Sequence, residues 1–273
     1  MKVRKVELAD EKAAAEFILR IQRQRRNLTQ LQLSLESAVS ARHLSFIETG
    51  RAQPSREMIV HLAEQLDVPL RERNRLLLAA GYAPSYTERP LGSEEMTPIR
   101  RALDRFLRAH EPYPAVVADR HWTLVAVNDA LHVLTDGVAP ELLAPPANGL
   151  RVMLHPSGMA PRIANLAEYS GHMLQRLRRR AALTADVELV RLHDELASYP
   201  GVAREPVHHE GAGAEIVLPL RMRHPDGDLT FLSTVSTFGA AVDVTLSELA
   251  IEAFYPANAA TATTLMRDIS AVP

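Results

Sequence analysis

The chain has 273 residues, 47% of them hydrophobic and 23% charged, with no cysteine. That length suggests about two domains, and the missing cysteines exclude a disulfide framework, a thiolate metal site and a cysteine nucleophile. The formal net charge of −2 divides unevenly, since Met1 to Arg89 holds 15 Lys+Arg against 11 Asp+Glu, a net of +4, and the remainder holds 16 against 22.

Twelve of those fifteen cations are arginines, the side chain better suited to phosphate and guanine edges. The surplus permits nucleic-acid contact without requiring it. No run approaches the roughly 20 apolar residues of a membrane span. The opening MKVRKVELADEK lacks the apolar stretch of a signal peptide, so a cytoplasmic protein with no membrane partner is expected.

In chain order, residues 12–26 read as a helix whose apolar face carries Phe17, Ile18 and Ile21. Thr29 opens a second helix, and Gln32 three residues on completes a capping box. After a break at Ser37–Val39, Ser40 suits the N-cap of a third helix ending at Thr49-Gly50, where glycine fits the position past the end. Pro54-Ser55 starts a fourth helix with Met58, Ile59, Leu62, Ala63 and Leu66 at 3/4 spacing. A fifth runs from about Leu70 to Ala80 and stops at Gly81.

A linker with Pro84 and Pro90 follows, placing a boundary near residue 92 and two domains at 1–91 and 92–273. Beyond it come a helix near 98–110 and two short β-rich runs, 115–119 and 123–128, joined at Arg120-His121 as a hairpin. Helices are expected at 148–154, 165–180 and 186–198. Strands return at 215–222 and 229–238 around a Pro-Asp-Gly-Asp turn at 225–228. The stretch 245–255 reads as a short helical start before a final strand. The fold class is therefore α+β: a five-helix all-α domain, then an antiparallel sheet covered by helices.

Three short helices with a tight turn suit a major-groove reader, because the groove admits one helix while its predecessor crosses the backbone. In this register Leu33, Val39, Leu44 and Ile47 point inwards. Ala41, Arg42, Ser45 and Phe46 stay on the outer face, with Gln30 at the start of the second helix. Residues 28–55, L-T-Q-x-x-L-(x)5-V-S-x-x-x-L-S-x-I-E-x-G-R-x-x-P-S, resemble the lambda-repressor/XRE type of helix-turn-helix. The resemblance implies double-stranded DNA as partner, Gln30 as a phosphate anchor and Ser40 at the start of the recognition helix. It also implies Ala41, Arg42 and Phe46 in base-facing positions, and Glu48 and Arg51 in the closing E-x-G-R, which packs the motif and offers a backbone contact. Three positions depart from the pattern. Ala38 replaces the turn glycine, Leu31 and Leu35 stand where exposed charges are usual, and Phe46 replaces a polar base reader.

The second half carries H-E-P-Y-P-A-V-V-x-D-R-H-W at 110–122, L-H-P-S-G-M-A-P-R-I-x-N-L-A-E-Y at 154–169, D-G-D-L-T-F-L-S-T-V-S-T-F-G at 226–239 and D-V-T-L-S-E-L-A-I-E-A-F-Y-P-A at 243–257. Together these resemble the MmyB-like ligand-binding domain, a PAS-like fold found behind this type of helix-turn-helix. The resemblance implies a small, mostly apolar ligand, fatty-acid-like, held between sheet and helices.

On the residues themselves, Trp122, Leu124 and Phe231 or Leu232 suit an apolar wall. Arg162, Asn165 or His155 could meet a carboxylate, arginine doing so bidentately. Structural roles fit the same residues: Arg162 capping a helix or pairing with Glu168, Trp122 filling the core.

No G-x-S-x-G elbow, phosphate loop or H-E-x-x-H is present, so an enzyme is not expected. His208-His209-Glu210 is dense in ligand types, yet adjacent loop residues rarely share one metal, and no metal or cofactor is expected. Asp243 and Glu248 read as solvated turn positions rather than paired carboxylates. The expectation is a ligand-responsive, DNA-binding transcriptional regulator acting as a homodimer. Its rivals are a metabolite-binding interaction module with a non-DNA-binding helix-turn-helix remnant, and a small-molecule hydrolase in the second half.

Overall fold

A computed structural model describes residues 19–24, 26–205 and 217–270. The chain divides into two units: Met1–Arg89 with Ala240–Ser247, and Pro90–Gly239 with Glu248–Pro273.

In the first unit, residues 19–24 are helical (α1); the rest of the helix expected over 12–26, except the turn residue Arg26, lies outside the described residues. There follow α2 (Gln30–Ser37), α3 (Ala41–Glu48), α4 (Arg56–Gln65) and α5 (Leu70–Ala79). The caps read from the sequence are made. Gln32 N–H donates to Thr29 Oγ1 at 3.1 Å while Thr29 N–H donates to Gln32 Oε1 at 2.7 Å. Ser40 Oγ accepts from His43 N–H, and Ser55 Oγ from Met58 N–H, each at 3.2 Å.

Ala38 sits at φ 53°, ψ 24°, the left-handed turn where glycine is usual, at a cost of about 1 kcal/mol. Leu33, Leu44, Ile47, Ile59, Leu62, Leu76 and Leu77 are fully buried in one core. Each contributes roughly 1.5–3 kcal/mol, so packing outweighs the strain at Ala38. Asp243 corrects an expectation: it is buried rather than solvated. Its Oδ2 accepts from Thr87 Oγ1 at 3.1 Å and Arg89 Nη1 at 3.0 Å, and Val244 N–H donates to the Thr87 carbonyl.

The second unit opens with α6 (Thr97–Ala109) and builds one sheet from β1 (Ala115–Ala118), β2 (Leu124–Val127), β3 (Leu220–Met222), β4 (Leu229–Thr237) and β5 (Ala250–Pro256). Every neighbouring pair is antiparallel, in the order β2-β1-β5-β4-β3. β3 is shorter than expected: residues 217–219 are not strand, and 215–216 and the His208-His209-Glu210 cluster lie outside the described residues. The Pro225–Asp228 turn joins β3 to β4 with Gly227 at φ 110°, a conformation only glycine adopts readily.

Between β2 and β3 come α7 (His132–Thr135), α8 (Pro140–Leu143), α9 (Gly149–Leu154), α10 (Leu166–Thr184) and α11 (Val187–Leu196). The short helical start before β5 is α12 (Val244–Glu248), and α13 (Ala259–Ser270) ends the described chain. Sequence periodicity gave no hint of α7, α8 or α13. Two of these are single turns, too short to show a period, and Ala and Thr dominate the first half of the third.

The β1–β2 connection is longer than a two-residue hairpin. Asp119 Oδ1 accepts from the N–H groups of His121 and Thr123, each at 2.8 Å, and so folds the loop. Trp122 is left at φ 66°. A tryptophan in that region is strained by about 1–3 kcal/mol, the kind of strain that persists where surrounding structure enforces it.

Candidate DNA-binding helix and ligand cavity

The α2–turn–α3 pair is fixed by one buried ion pair. Arg23 Nε and Nη2 donate to the two Glu48 carboxylate oxygens at 2.7 and 2.9 Å, and Gln30 Nε2 donates to Oε2 at 2.8 Å. Arg23 Nη1 also donates to the Leu28 carbonyl at 2.6 Å. Burial works against the Glu48 carboxylate, but the bonds from Arg23 and Gln30 outweigh it and hold its pKa below the ordinary value. The glutamate of the E-x-G-R end is therefore a packing residue. Gln30, expected as a phosphate anchor, has its amide nitrogen engaged with Glu48.

The remaining expected contacts gather along α3. Ser40 and Arg42 are exposed, and Ala41, Ser45 and Phe46 are half-buried. The Arg42 guanidinium lies 5.4 Å from the Phe46 ring centroid, so the aromatic ring supports the cation next to it. Arg51 is exposed just past the helix, its N–H donating to the Phe46 carbonyl at 2.8 Å. Neither Arg42 nor Arg51 forms an ion pair among the described residues, whereas Arg23, Arg26, Arg71, Arg73 and Arg75 do. Leu31 and Leu35 on α2 are 63% and 76% exposed.

In the second unit the helices enclose a cavity of about 40 Å³ against one face of the sheet. The sheet supplies Val116, Glu252 and Phe254, and the β1–β2 loop and β2 supply Trp122 and Leu124. The cover comes from Leu131, Leu134 and Thr135, from Leu150, Val152 and Met153 on α9, and from Met159. Gly149 N–H donates to the Trp122 carbonyl at 2.8 Å. A Cβ at Gly149 would stand 3.1 Å from Leu124 Cδ2, so glycine lets α9 approach the loop closely. The Arg176 guanidinium stands over the Trp122 ring at 5.4 Å.

Of the residues expected to line a ligand site, Trp122 and Leu124 are in the wall. Phe231 is fully buried behind it, edge-on to Phe254 with centroids 6.4 Å apart. His155, Arg162 and Asn165 are not in the wall, and their polar atoms are used elsewhere. Arg162 donates to the carbonyls of Val133 and Asp136 at the end of α7, at 3.0 and 2.8 Å. Asn165 ties β3 through the Pro219 carbonyl and Arg221 N–H at 2.9 and 3.1 Å. His155 Nδ1 accepts from Ser157 N–H, and its ring meets Tyr199 edge-on.

Glu252 was not anticipated. It pairs with Val116 of β1 and Val235 of β4, which makes its strand central, and its side chain is buried. Burial pushes its pKa up, with Arg176 and Ser233 opposing. The same burial, with Glu252 nearby, pushes the Tyr169 phenol well above its usual range.

A second charged cluster joins His121, Asp186 and Glu188. His121 Nε2 lies 2.8 Å from Asp186 Oδ2, and Nδ1 lies 3.2 Å from Glu188 Oε2. Arg120 Nη1 is 3.9 Å from the same Asp186 oxygen, so a cation already shares the charge of this cluster.

A family model described as the MmyB-like transcription regulator ligand binding domain matches residues 99–267, and one described as helix-turn-helix matches residues 19–73. No curated protein matches the chain. No helix among the described residues is long and apolar enough to cross a membrane. With more than half of its length matched, the chain belongs to the family of transcription regulators that carry an MmyB-like ligand-binding domain, here behind a helix-turn-helix.

Proposed function

We propose that α3 docks in the DNA major groove and that occupancy of the sheet-unit cavity by a small apolar ligand, aliphatic and fatty-acid-like in its body, biases DNA affinity. The exposed, unpaired guanidinium of Arg42, propped on Phe46 along α3, carries the DNA half of this reading. A lone arginine on a groove-sized helix suits guanine O6 and N7, while Phe46 suits only a thymine methyl or a sugar edge. Ser40, Ala41 and Ser45 allow close approach of the helix, and Arg51 is positioned for phosphate. Gln30 reaches phosphate only by sharing or leaving Glu48. With one long base reader, specificity comes mainly from phosphate contacts and from a C2 dimer spacing two half-sites about 34 Å apart.

The apolar wall supports the ligand half. Its present volume is below the roughly 300–1,000 Å³ of an occupied ligand site, so entry moves the cover. Met153 and Met159 are unbranched and adapt readily. Control by ligand requires different affinities for the DNA-competent and DNA-incompetent states. A PAS-like assignment of the helix-covered sheet is part of the same proposal.

The test is binding of the full chain to duplex DNA across a salt series. Affinity is expected to fall steeply with salt as counterions are released, and Arg42→Ala is expected to weaken binding by about tenfold. No binding at about 50 mM salt would contradict the DNA half. The exposed Leu31 and Leu35 would then favour a protein partner for this unit.

A further inference from the structure

The cavity wall holds one ionisable side chain among thirteen residues, Glu252. It is 5% exposed, and its Oε1 has no hydrogen-bond partner among the described residues. A buried, unsatisfied carboxyl oxygen is costly and rare in native structures, and it calls for an explanation at its own position. Here the oxygen belongs to a side chain that faces an apolar cavity. That cavity exceeds the roughly 10–15 Å³ that admits one water, so it has room for a hydroxyl-sized group beside this side chain.

We infer that Glu252 is the polar recognition group of the cavity and that it takes the hydroxyl of an apolar alcohol. This inference rests on the ligand-cavity reading above and gives that ligand its head group. Three candidates compete for the position. A carboxylate head group would set two carboxyls together in a desolvated space, and like charges there oppose each other. The residues expected from the sequence to receive a carboxylate, His155, Arg162 and Asn165, are outside the wall and engaged elsewhere. An ammonium would be buried near Arg176, whose charge already acts on Glu252. A hydroxyl suits both forms of Glu252, donating to the carboxylate or accepting from the acid. It also brings the apolar body that fills the remaining wall.

Trp122 is the only tryptophan of the chain and lines the cavity, so its fluorescence reports occupancy directly. The experiment titrates the full chain, and its Glu252→Gln and Glu252→Leu variants, with 1-octanol, octanoate and octylamine. In the wild type, 1-octanol is expected to give a saturable change at the lowest concentration of the three. Glu252→Leu should weaken 1-octanol by at least about tenfold, the range for a hydrogen bond to a charged group, and abolish the preference over octanoate. Glu252→Gln keeps an acceptor oxygen and should stay within a few-fold of wild type.

If octanoate or octylamine binds as tightly as 1-octanol, or Glu252→Leu leaves 1-octanol unchanged, the head-group inference is overturned while the cavity stands. If none of the three probes alters Trp122 in the wild type, the cavity reading itself fails, and this inference with it.

Discussion

The two units each bury a glutamate, and they treat it in opposite ways. In the helix-turn-helix, Glu48 is 8% exposed and receives bonds from Arg23 and Gln30 on both oxygens. In the sheet unit, Glu252 is 5% exposed and one oxygen has no partner among the described residues. Burial alone therefore does not say what a charge is for. A fully paired carboxylate fixes three pieces of chain, α1, the start of α2 and the end of α3, in one geometry. A half-paired one beside a cavity leaves binding capacity for something else.

Removing each carboxylate should separate the two roles, and the largest effect is expected at Glu48. Glu48→Leu strands Arg23 as a buried, unpaired cation, which costs about 3–5 kcal/mol. Chemical denaturation followed by amide exchange within residues 28–66 would show it. Glu252→Leu should move the other way, leaving the sheet unit equally stable or raising it by roughly 1–2 kcal/mol, because an unsatisfied group is replaced by an apolar one. Loss of stability in that variant would mean that the bond between Ser233 and the other carboxylate oxygen outweighs the unsatisfied one.

A smaller effect is expected at the turn. Ala38→Gly should add about 1 kcal/mol to the first unit by relieving its left-handed conformation, a change readable in the same exchange experiment.

The pH response supplies the finest distinction. The pKa of Glu48 is depressed, so its stabilisation is present above the ordinary glutamate value of 4.5 and is lost as pH falls through the folded value. The pKa of Glu252 is raised, against the opposing charge of Arg176 and beside the Tyr169 phenol. Its contribution is full below 4.5 and is lost as pH rises toward the folded value. As pH rises, the first unit should therefore firm up to about the ordinary glutamate value and the sheet unit should loosen above it. Trp122 fluorescence should follow the second trend, and Glu252→Gln should flatten it.

The helix-turn-helix and the cavity also differ in how far the sequence exposes them. The helix-turn-helix is built from local signals: Thr29 with Gln32, Ser40 before α3, Ser55 before α4 and Gly50 after α3. Each works within four residues, so sequence spacing exposes it. The cavity is assembled from β1, the β1–β2 loop, α7, α9 and β5, and no local rule links them. Trp122 and Leu124 could be picked out as wall residues because they sit at the start of a β-rich run. Glu252 was hidden inside LSELAIEAF, where the helical and strand periods are hard to tell apart. A charge in a strand that turns out to be central is the signal that could have found it, but only once β5 was known to lie between β1 and β4.

Arg162 shows the opposite case. Its chemistry suited a carboxylate, yet the carbonyls at the end of α7 use its donors.

The central claim is that DNA and a ligand in the cavity share one free energy, and linkage makes it directly measurable. Titrating the full chain with 1-octanol, with Trp122 as reporter, in the absence and presence of saturating duplex DNA at low salt, should give two different midpoints. By reciprocity the same factor should appear in the DNA affinity measured with and without 1-octanol. Coincident midpoints, with both partners demonstrably bound, would contradict the account.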